Sequence, residues 1–235
     1  MQDSTPEIRP DYRDKVAGTA KYVTDLKVPG MVHARLLRSP HPHARIASID
    51  ASQAESLPGV LGVFSGRYLT PDFCAQTHWG LYFKDRPIIA KDVVRYAGEP
   101  VAAVIAETEA IAEDALELID VEYEPLPFVT DGRSAMQKDA PLVHDRFDVL
   151  NDFYFRGGPK PVGGTNICNR YEFDQGDVDA AFASAHTVLE DTYTFPGIFH
   201  YAMEPHAVIA DFRKDGLELW SNGQTPTAIQ RGCAD

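Results

Sequence analysis

The chain has 235 residues, 44% hydrophobic and 24% charged, and its 22 basic and 35 acidic residues give a formal net charge of −13. That length can bury a core and build one large or two smaller domains, and the composition is not that of a disordered chain. Its acidity argues against nonspecific nucleic-acid binding. No apolar run approaches the roughly 20 residues that span a bilayer, so neither nucleic acid nor membrane is expected as a partner. The polar start "MQDSTPEIRPDYRDK" has no apolar signal core, which makes the cytoplasm the expected compartment.

In chain order, residues 31–37 (MVHARLL) and 44–50 (ARIASID) read as strands joined by the turn-prone "RSPHPH". This stretch concentrates His33, His41, His43, Arg35, Arg38 and Arg45. Such a set could bind a metal, bind an anion, or belong to a mixed sheet. His41 and His43 are two apart and share a face on a strand, but no third ligand completes a coordination sphere. "ASQAESLPGV" reads as a short helix closed by Pro-Gly and followed by the apolar strand "VLGVF". Residues 72–98 read as irregular and aromatic. "EPVAAVIAE" is a continuous apolar run of buried-strand type, and "TEAIAEDALELI" has helical periodicity with Thr108 as its N-cap. "DVEYEPLP" returns to strand, with Glu122 and Glu124 on one solvated face. Strand, helix and strand in this order suggest a sheet covered by helices.

From about Asp131 a long segment with Gly and Pro clustered at 157–164 reads as a connection between domains. Structure is expected to resume at "CNRYEFD", with a short helix near "DVDAAFASA" and strands in "HTVLEDTYTF", "AVIADF" and "LELWSN". "TPTAIQRGCAD" opens like a helix, with Thr225 at the N-cap and Pro226 in the first helical position. Only about three turns at most follow, so this second unit is expected to be a piece of something larger.

The chemical motifs are sparse. Cys74, Cys168 and Cys233 are far apart and form no C-x-x-C pair, which argues against a disulfide framework. They are also too few for an iron–sulfur cluster, which takes four thiolates. The glycine pairs at 157–158 and 163–164 fit neither a P-loop nor a dinucleotide fingerprint, and no G-x-S-x-G elbow occurs. "FHYAMEPHAVIADF" places Glu204 and His206 among apolar residues, as a buried structural acceptor or a site group. In "LWSNGQTPTAIQR", Gln224 follows Gly223 just before a helix N-terminus, where amide donors suit an oxyanion or a metal-oxo ligand.

Taken together, the segments resemble the molybdenum hydroxylase family of xanthine dehydrogenases and aldehyde oxidases, in the amino-terminal part of its molybdopterin-binding subunit. The resemblance rests on "DYRDKVAGTAKYVTDLKVPGMVHARLLRSPHPHARIASID", "PGVLGVFSG" and "VVRYAGEPVAAVIAETEAIAEDALELIDVEYEPLP", and continues through "GDVDAAFASAHTVLEDTY", "HYAMEPHAVIA" and "LELWSNGQTP". It implies an α+β chain with an α/β hammerhead domain over 14–131, a connecting segment over 132–165, and an incomplete first portion of the molybdenum-cofactor-binding domain over 166–235. It also makes the histidines and arginines of "LRSPHPHARI" hammerhead framework rather than metal ligands.

The resemblance further implies a hydroxylase or dehydrogenase that oxidises a small-molecule substrate (an N-heteroaromatic, a purine or an aldehyde) with water as the oxygen source. The molybdenum–pterin cofactor would be shared with a partner carrying the rest of the molybdopterin-binding subunit. 2Fe–2S and FAD would sit in separate iron–sulfur and flavin subunits. Gln224 matches the family glutamine that hydrogen-bonds an oxo ligand of molybdenum, with Gly223 and Thr225 beside it on the cofactor. Glu204 and Pro205 match a supporting "MEP" segment. No direct metal ligand and no catalytic residue is expected in this chain, the base glutamate being expected in the partner. A non-catalytic hammerhead scaffold or assembly protein is the alternative.

Overall fold

The computed structural model describes residues 9–70, 78–79, 85–144 and 161–234; Cys74 and the glycine pair at 157–158 lie outside them. In chain order the elements are α1 (Tyr12–Ala17), β1 (His33–Arg38), β2 (Ala44–Asp50), α2 (Ser52–Glu55), β3 (Val60–Ser65), β4 (His78–Trp79), β5 (Arg86–Pro87), β6 (Val93–Val94), β7 (Pro100–Ala106), α3 (Glu109–Leu116), β8 (Asp120–Pro125), α4 (Gly132–Ala135), α5 (Val178–Ser184), β9 (Val208–Arg213), β10 (Gly216–Ser221) and α6 (Pro226–Ala234). The chain is α+β and falls into two compact units, Met31–Val188 and Met1–Gly30 with Leu189–Asp235. None of the described helices is long and apolar enough to cross a membrane.

Within Met31–Val188, β7 explains the fold. It is the middle strand of a three-stranded antiparallel sheet in the order β1-β7-β3. Val101, Ala102, Val104 and Ala106 along it are all fully buried, which is why this strand reads as a continuous apolar run rather than an alternating one. α3 lies on this sheet. Its N-terminus is fixed by Thr108, whose hydroxyl oxygen accepts the Ile111 N–H at 3.2 Å. The buried Ala112 and Ala115 then bring the helix close to Val63, Val104 and Ile119. Arg35 on β1 also reaches Glu109 and Glu113 on α3. These pairs are well exposed, and exposed ion pairs contribute little, so burial rather than charge holds the helix.

A second antiparallel sheet has the order β6-β2-β8. Along β8, Val121 and Tyr123 are half-buried while Glu122 and Glu124 are exposed, the alternation expected of a one-sided strand. Leu37 on β1 packs against both core clusters, the one under α3 and the one formed by Ala44, Ala90, Val94 and Val101. Downstream, Asn166 ties its neighbourhood together. Its amide donates to the carbonyls of Ala135 (3.1 Å) and Pro141 (2.9 Å), and its side-chain oxygen accepts the Val143 N–H at 2.9 Å.

The other unit is built differently. β9 and β10 pair in register from Gly216↔Arg213 to Ser221↔Val208, and α6 follows directly. The strand expected over 186–195 does not form. A strand needs a ladder partner for its N–H and C=O groups, and no described strand pairs with this segment. Leu189, Tyr193 and Phe195 are each 79% or more exposed.

Candidate functional site

Gly223, Gln224 and Thr225 follow the end of β10, and the 204–205 segment is tied to the same end of the β9–β10 hairpin through Asn222. Directly opposed residues share a face, so Val208, Ala210 and Phe212 on β9 lie beside Ser221, Leu219 and Leu217 on β10. The opposite face carries Arg213, which pairs with Asp211 at 2.9 Å and Glu218 at 2.6 Å. α6 lies beside the β10 half of the apolar face. Leu217, Leu219, Ser221, Gly223, Pro226 and Ile229 line a cavity of about 470 Å³ there, which Gln230, Cys233 and Ala234 complete.

The turn between β10 and α6 presents Gln224. The Thr225 carbonyl accepts the N–H groups of Ala228 (3.0 Å) and Ile229 (3.2 Å), and Pro226 takes the first helical position, where its missing N–H costs nothing. A Cβ on Gly223 would overlap Ile229 Cδ1, the tip of a side chain with an alternative rotamer in reach. Gln224 is exposed, and its amide makes no hydrogen bond to the described residues, which leaves its donor and its acceptor available.

Glu204 is half-buried between the exposed Met203 and Pro205. The link between this segment and the Gln224 turn is Asn222, whose side-chain amide donates to the Pro205 carbonyl at 2.8 Å. Sequence reading did not single out Asn222. The one available signal was a short polar amide at the end of a strand, a residue type that bonds nearby backbone.

The donor set fits a metal-oxo or oxyanion group. It consists of a neutral, exposed amide just ahead of a helix N-terminus, a glycine beside it, and a second segment tied to the neighbouring Asn222. It does not fit a bare metal ion. Among the described residues, no group of three or more His, Cys, Asp or Glu could hold one.

The other candidates are structural in their contacts. His43 Nδ1 lies 2.6 Å from the Pro127 carbonyl, and the His41 ring packs against Tyr123 at 4.9 Å. Glu122 accepts the Ser48 hydroxyl, and Glu124 pairs with the exposed Arg45 at 3.4 Å. Glu99 was also not singled out from the sequence. It is only 2% exposed, and its carboxylate accepts the Arg95 N–H at 2.5 Å. Burial pushes its pKa above the ordinary carboxylate value, with Arg95 and His43 opposing part of that shift. Its signal in the sequence was a carboxylate between Gly98 and Pro100, directly ahead of a buried strand.

Residues 17–127 match the family described as aldehyde oxidase and xanthine dehydrogenase, a/b hammerhead domain. Residues 160–235 match the molybdopterin cofactor-binding domain. The chain is 38% identical over 209 residues to a probable xanthine dehydrogenase subunit of Bacillus subtilis (strain 168), covering 89% of this chain and 25% of that protein. It is 33% identical over 211 residues to the nicotinate dehydrogenase large molybdopterin subunit of Eubacterium barkeri, covering 90% and 44%. Among solved structures, quinoline 2-oxidoreductase from Pseudomonas putida 86 superposes with a TM-score of 0.76 at 31% identity, over 97% of this chain and 28% of that one. The chain therefore spans about a quarter to under half of the length of these relatives.

Proposed function

Because the chain belongs to the xanthine dehydrogenase and aldehyde oxidase family of molybdenum hydroxylases, we propose that it supplies the hammerhead domain and one wall of the molybdenum site of a multi-subunit hydroxylase. The domain limits that go with this reading are 14–131 for the hammerhead, 132–165 for the connection and 166–235 for the start of the cofactor-binding domain. The two family matches, over 17–127 and 160–235, support them.

When bound, the molybdenum–pterin cofactor supplies two-electron oxidation of a substrate carbon, with water as the oxygen source. This chain's part is to hold and orient. The Gln224 amide would donate to an oxo group of the metal centre, orienting it and tuning its electronics from outside the ligand sphere. Gly223 and Thr225 set the backbone of that turn, and Glu204 with Pro205 supports it from the side. The carboxylate base comes from the remaining molybdopterin-binding polypeptide. Electrons leave through 2Fe–2S and FAD groups in further subunits.

The relatives above are named for xanthine, nicotinate and quinoline chemistry. All three are N-heteroaromatic, which supports that class of substrate, with purines inside it and aldehydes as the family's other class. The free thiols of Cys168 and Cys233 go with a reducing, cytoplasmic compartment.

The observation that carries this reading is the exposed Gln224 amide on the β10–α6 turn, with the Glu204–Pro205 segment tied to the adjacent Asn222. The test is purification of the chain from its own cell with whatever co-elutes, followed by metal analysis and kinetics. Co-elution with larger polypeptides, stoichiometric molybdenum and iron, and a roughly 10- to 100-fold loss of turnover in Gln224→Ala are expected. A lone metal-free polypeptide overturns the proposal and leaves the scaffold role.

A further inference from the structure

Within the segment 189–207 the Phe199 and Tyr201 rings meet edge-on at 5.0 Å, but no backbone ladder holds it. No helix or strand forms in it. Leu189, Phe195, Ile198, Tyr201 and Met203 are each more than 80% exposed. Tyr201 has a φ of 46°, an uncommon conformation for a residue with a side chain. Yet this segment delivers Glu204 and Pro205 to the side of the Gln224 turn. Among the described residues, the hydrogen bond that joins it to the hairpin is Asn222 Nδ2 to the Pro205 carbonyl, at 2.8 Å.

Asn222 is suited to bear that tie because its own position is fixed from both sides. On one side Ser221 pairs with Val208 at the end of the β-ladder. On the other, Gly223 packs beneath the tip of Ile229. The donor therefore sits at the end of a paired strand, and the acceptor belongs to a segment with no other hydrogen bond among the described residues.

We propose that Asn222 is a positioning residue of the molybdenum site, holding the Glu204–Pro205 segment at a set distance from Gln224 through its hydrogen bond to the Pro205 carbonyl. This rests on the role given to Gln224 above. Asn222 acts through the segment it holds and does not itself touch the cofactor.

The shape of asparagine allows a sharp test, because aspartate is nearly isosteric but, when ionised, accepts only. Asn222→Asp, Asn222→Ala and Asn222→Gln are compared with the native chain in two ways. First, chymotryptic cleavage after Phe199 and Tyr201 is timed on the full chain, with cleavage after Phe173 as the internal control. The aspartate and alanine variants are expected to be cut about fivefold faster at Phe199 and Tyr201, the order expected from losing one hydrogen bond, with the Phe173 rate unchanged. Second, the assembled enzyme is examined by Mo(V) electron paramagnetic resonance and steady-state kinetics. The same two variants are expected to keep their molybdenum, to shift the Mo(V) signal and to lower kcat about tenfold with KM unchanged. Glutamine, which keeps the amide, is expected to restore both.

Unchanged cleavage in Asn222→Asp overturns the tie. Faster cleavage with a native Mo(V) signal and kcat overturns the positioning role, leaving Asn222 as a structural clasp only. Absence of molybdenum from the assembled native protein overturns the function proposed for Gln224 and this role with it. The cleavage result still reports separately on whether the tie exists.

Discussion

The hammerhead region and the cofactor-side region of this chain keep their apolar side chains in opposite places. Among the described residues, every buried hydrophobic side chain lies between Ala44 and Ile119, and no residue from 189 to 234 is buried. In the first region a central strand is covered by a helix on one sheet and joined through Leu37 to a second cluster. In the second, a two-stranded hairpin carries α6 over half of one apolar face and leaves Phe212 82% exposed and Val208 63% exposed on the other half. An isolated hairpin is marginal in water, and large exposed apolar patches mark surfaces meant to be covered. The contrast teaches that burial within this chain is concentrated in the hammerhead region, while the region bearing Gln224 keeps its apolar side chains at the surface.

The largest effect that can break this contrast comes from matched truncations. Val104 is fully buried on β7 under α3, so Val104→Ala loses apolar burial and leaves a cavity, at a cost of about 2–3 kcal/mol. Phe212→Ser removes far more apolar surface, but from a side chain already in water. Its expected cost to the isolated chain is within about 0.5 kcal/mol. Chemical denaturation of both variants decides the matter, and equal losses would mean that the hairpin has a core of its own.

A smaller effect comes from two close-packed glycines, one in each region. A Cβ on Gly66 would lie 2.5 Å from Lys91 Cα and 2.6 Å from the Ala90 carbonyl oxygen. Both obstacles are backbone and cannot rotate away, so Gly66→Ala is expected to cost about 2 kcal/mol through displaced main chain. A Cβ on Gly223 would meet only the tip of Ile229, a side chain with an alternative rotamer in reach, so Gly223→Ala is expected to cost less. Thermal melts of the two variants compare them. A larger drop for Gly223→Ala would show that the β10–α6 turn is as tightly packed as the hammerhead.

The same contrast explains what could be read from the amino-acid sequence. "VAAVIA", "EAIAEDAL" and the alternating "DVEYEP" announce β7, α3 and β8 because each side chain's environment is set by neighbours within this chain. The caps at Thr108 and Thr225–Pro226 were legible for the same reason. "HTVLEDTYTF" has strand composition but no described partner strand, so local propensity had nothing to pair with. For the site, residue types pointed to Gln224 and Glu204. The bond from Asn222 to Pro205 did not announce itself, because it joins residues 17 apart through a loop conformation that has no period. Glu99 was hidden by its chemistry, since a lone carboxylate is ordinarily at the surface.

Glu99 gives the smallest of these effects, and its sign is what matters. Burial raises its folded-state pKa above the ordinary 4.5. Between the ordinary and the raised value the folded chain holds a proton that the unfolded chain has released, so the contribution of Glu99 to stability falls as pH rises through that window. The exposed carboxylates behave oppositely. Asp131 is lowered by the Ser134 N–H and Asp50 by the Ser52 N–H, both below their ordinary 3.8. What these two add to stability is present above that value and disappears as pH falls. The total pH profile therefore mixes two signs, and Glu99→Gln separates them by removing one titration while keeping an acceptor for the Arg95 N–H. The stability of the native chain minus that of the variant is expected to decline from pH 4 to pH 7, by about 1.4 kcal/mol for every tenfold change in proton affinity. Denaturant titrations at both ends measure it. A difference that grows with pH would mean that Arg95 and His43 outweigh burial, and that the hammerhead, like the cofactor-side region, holds its charges as solvated ones.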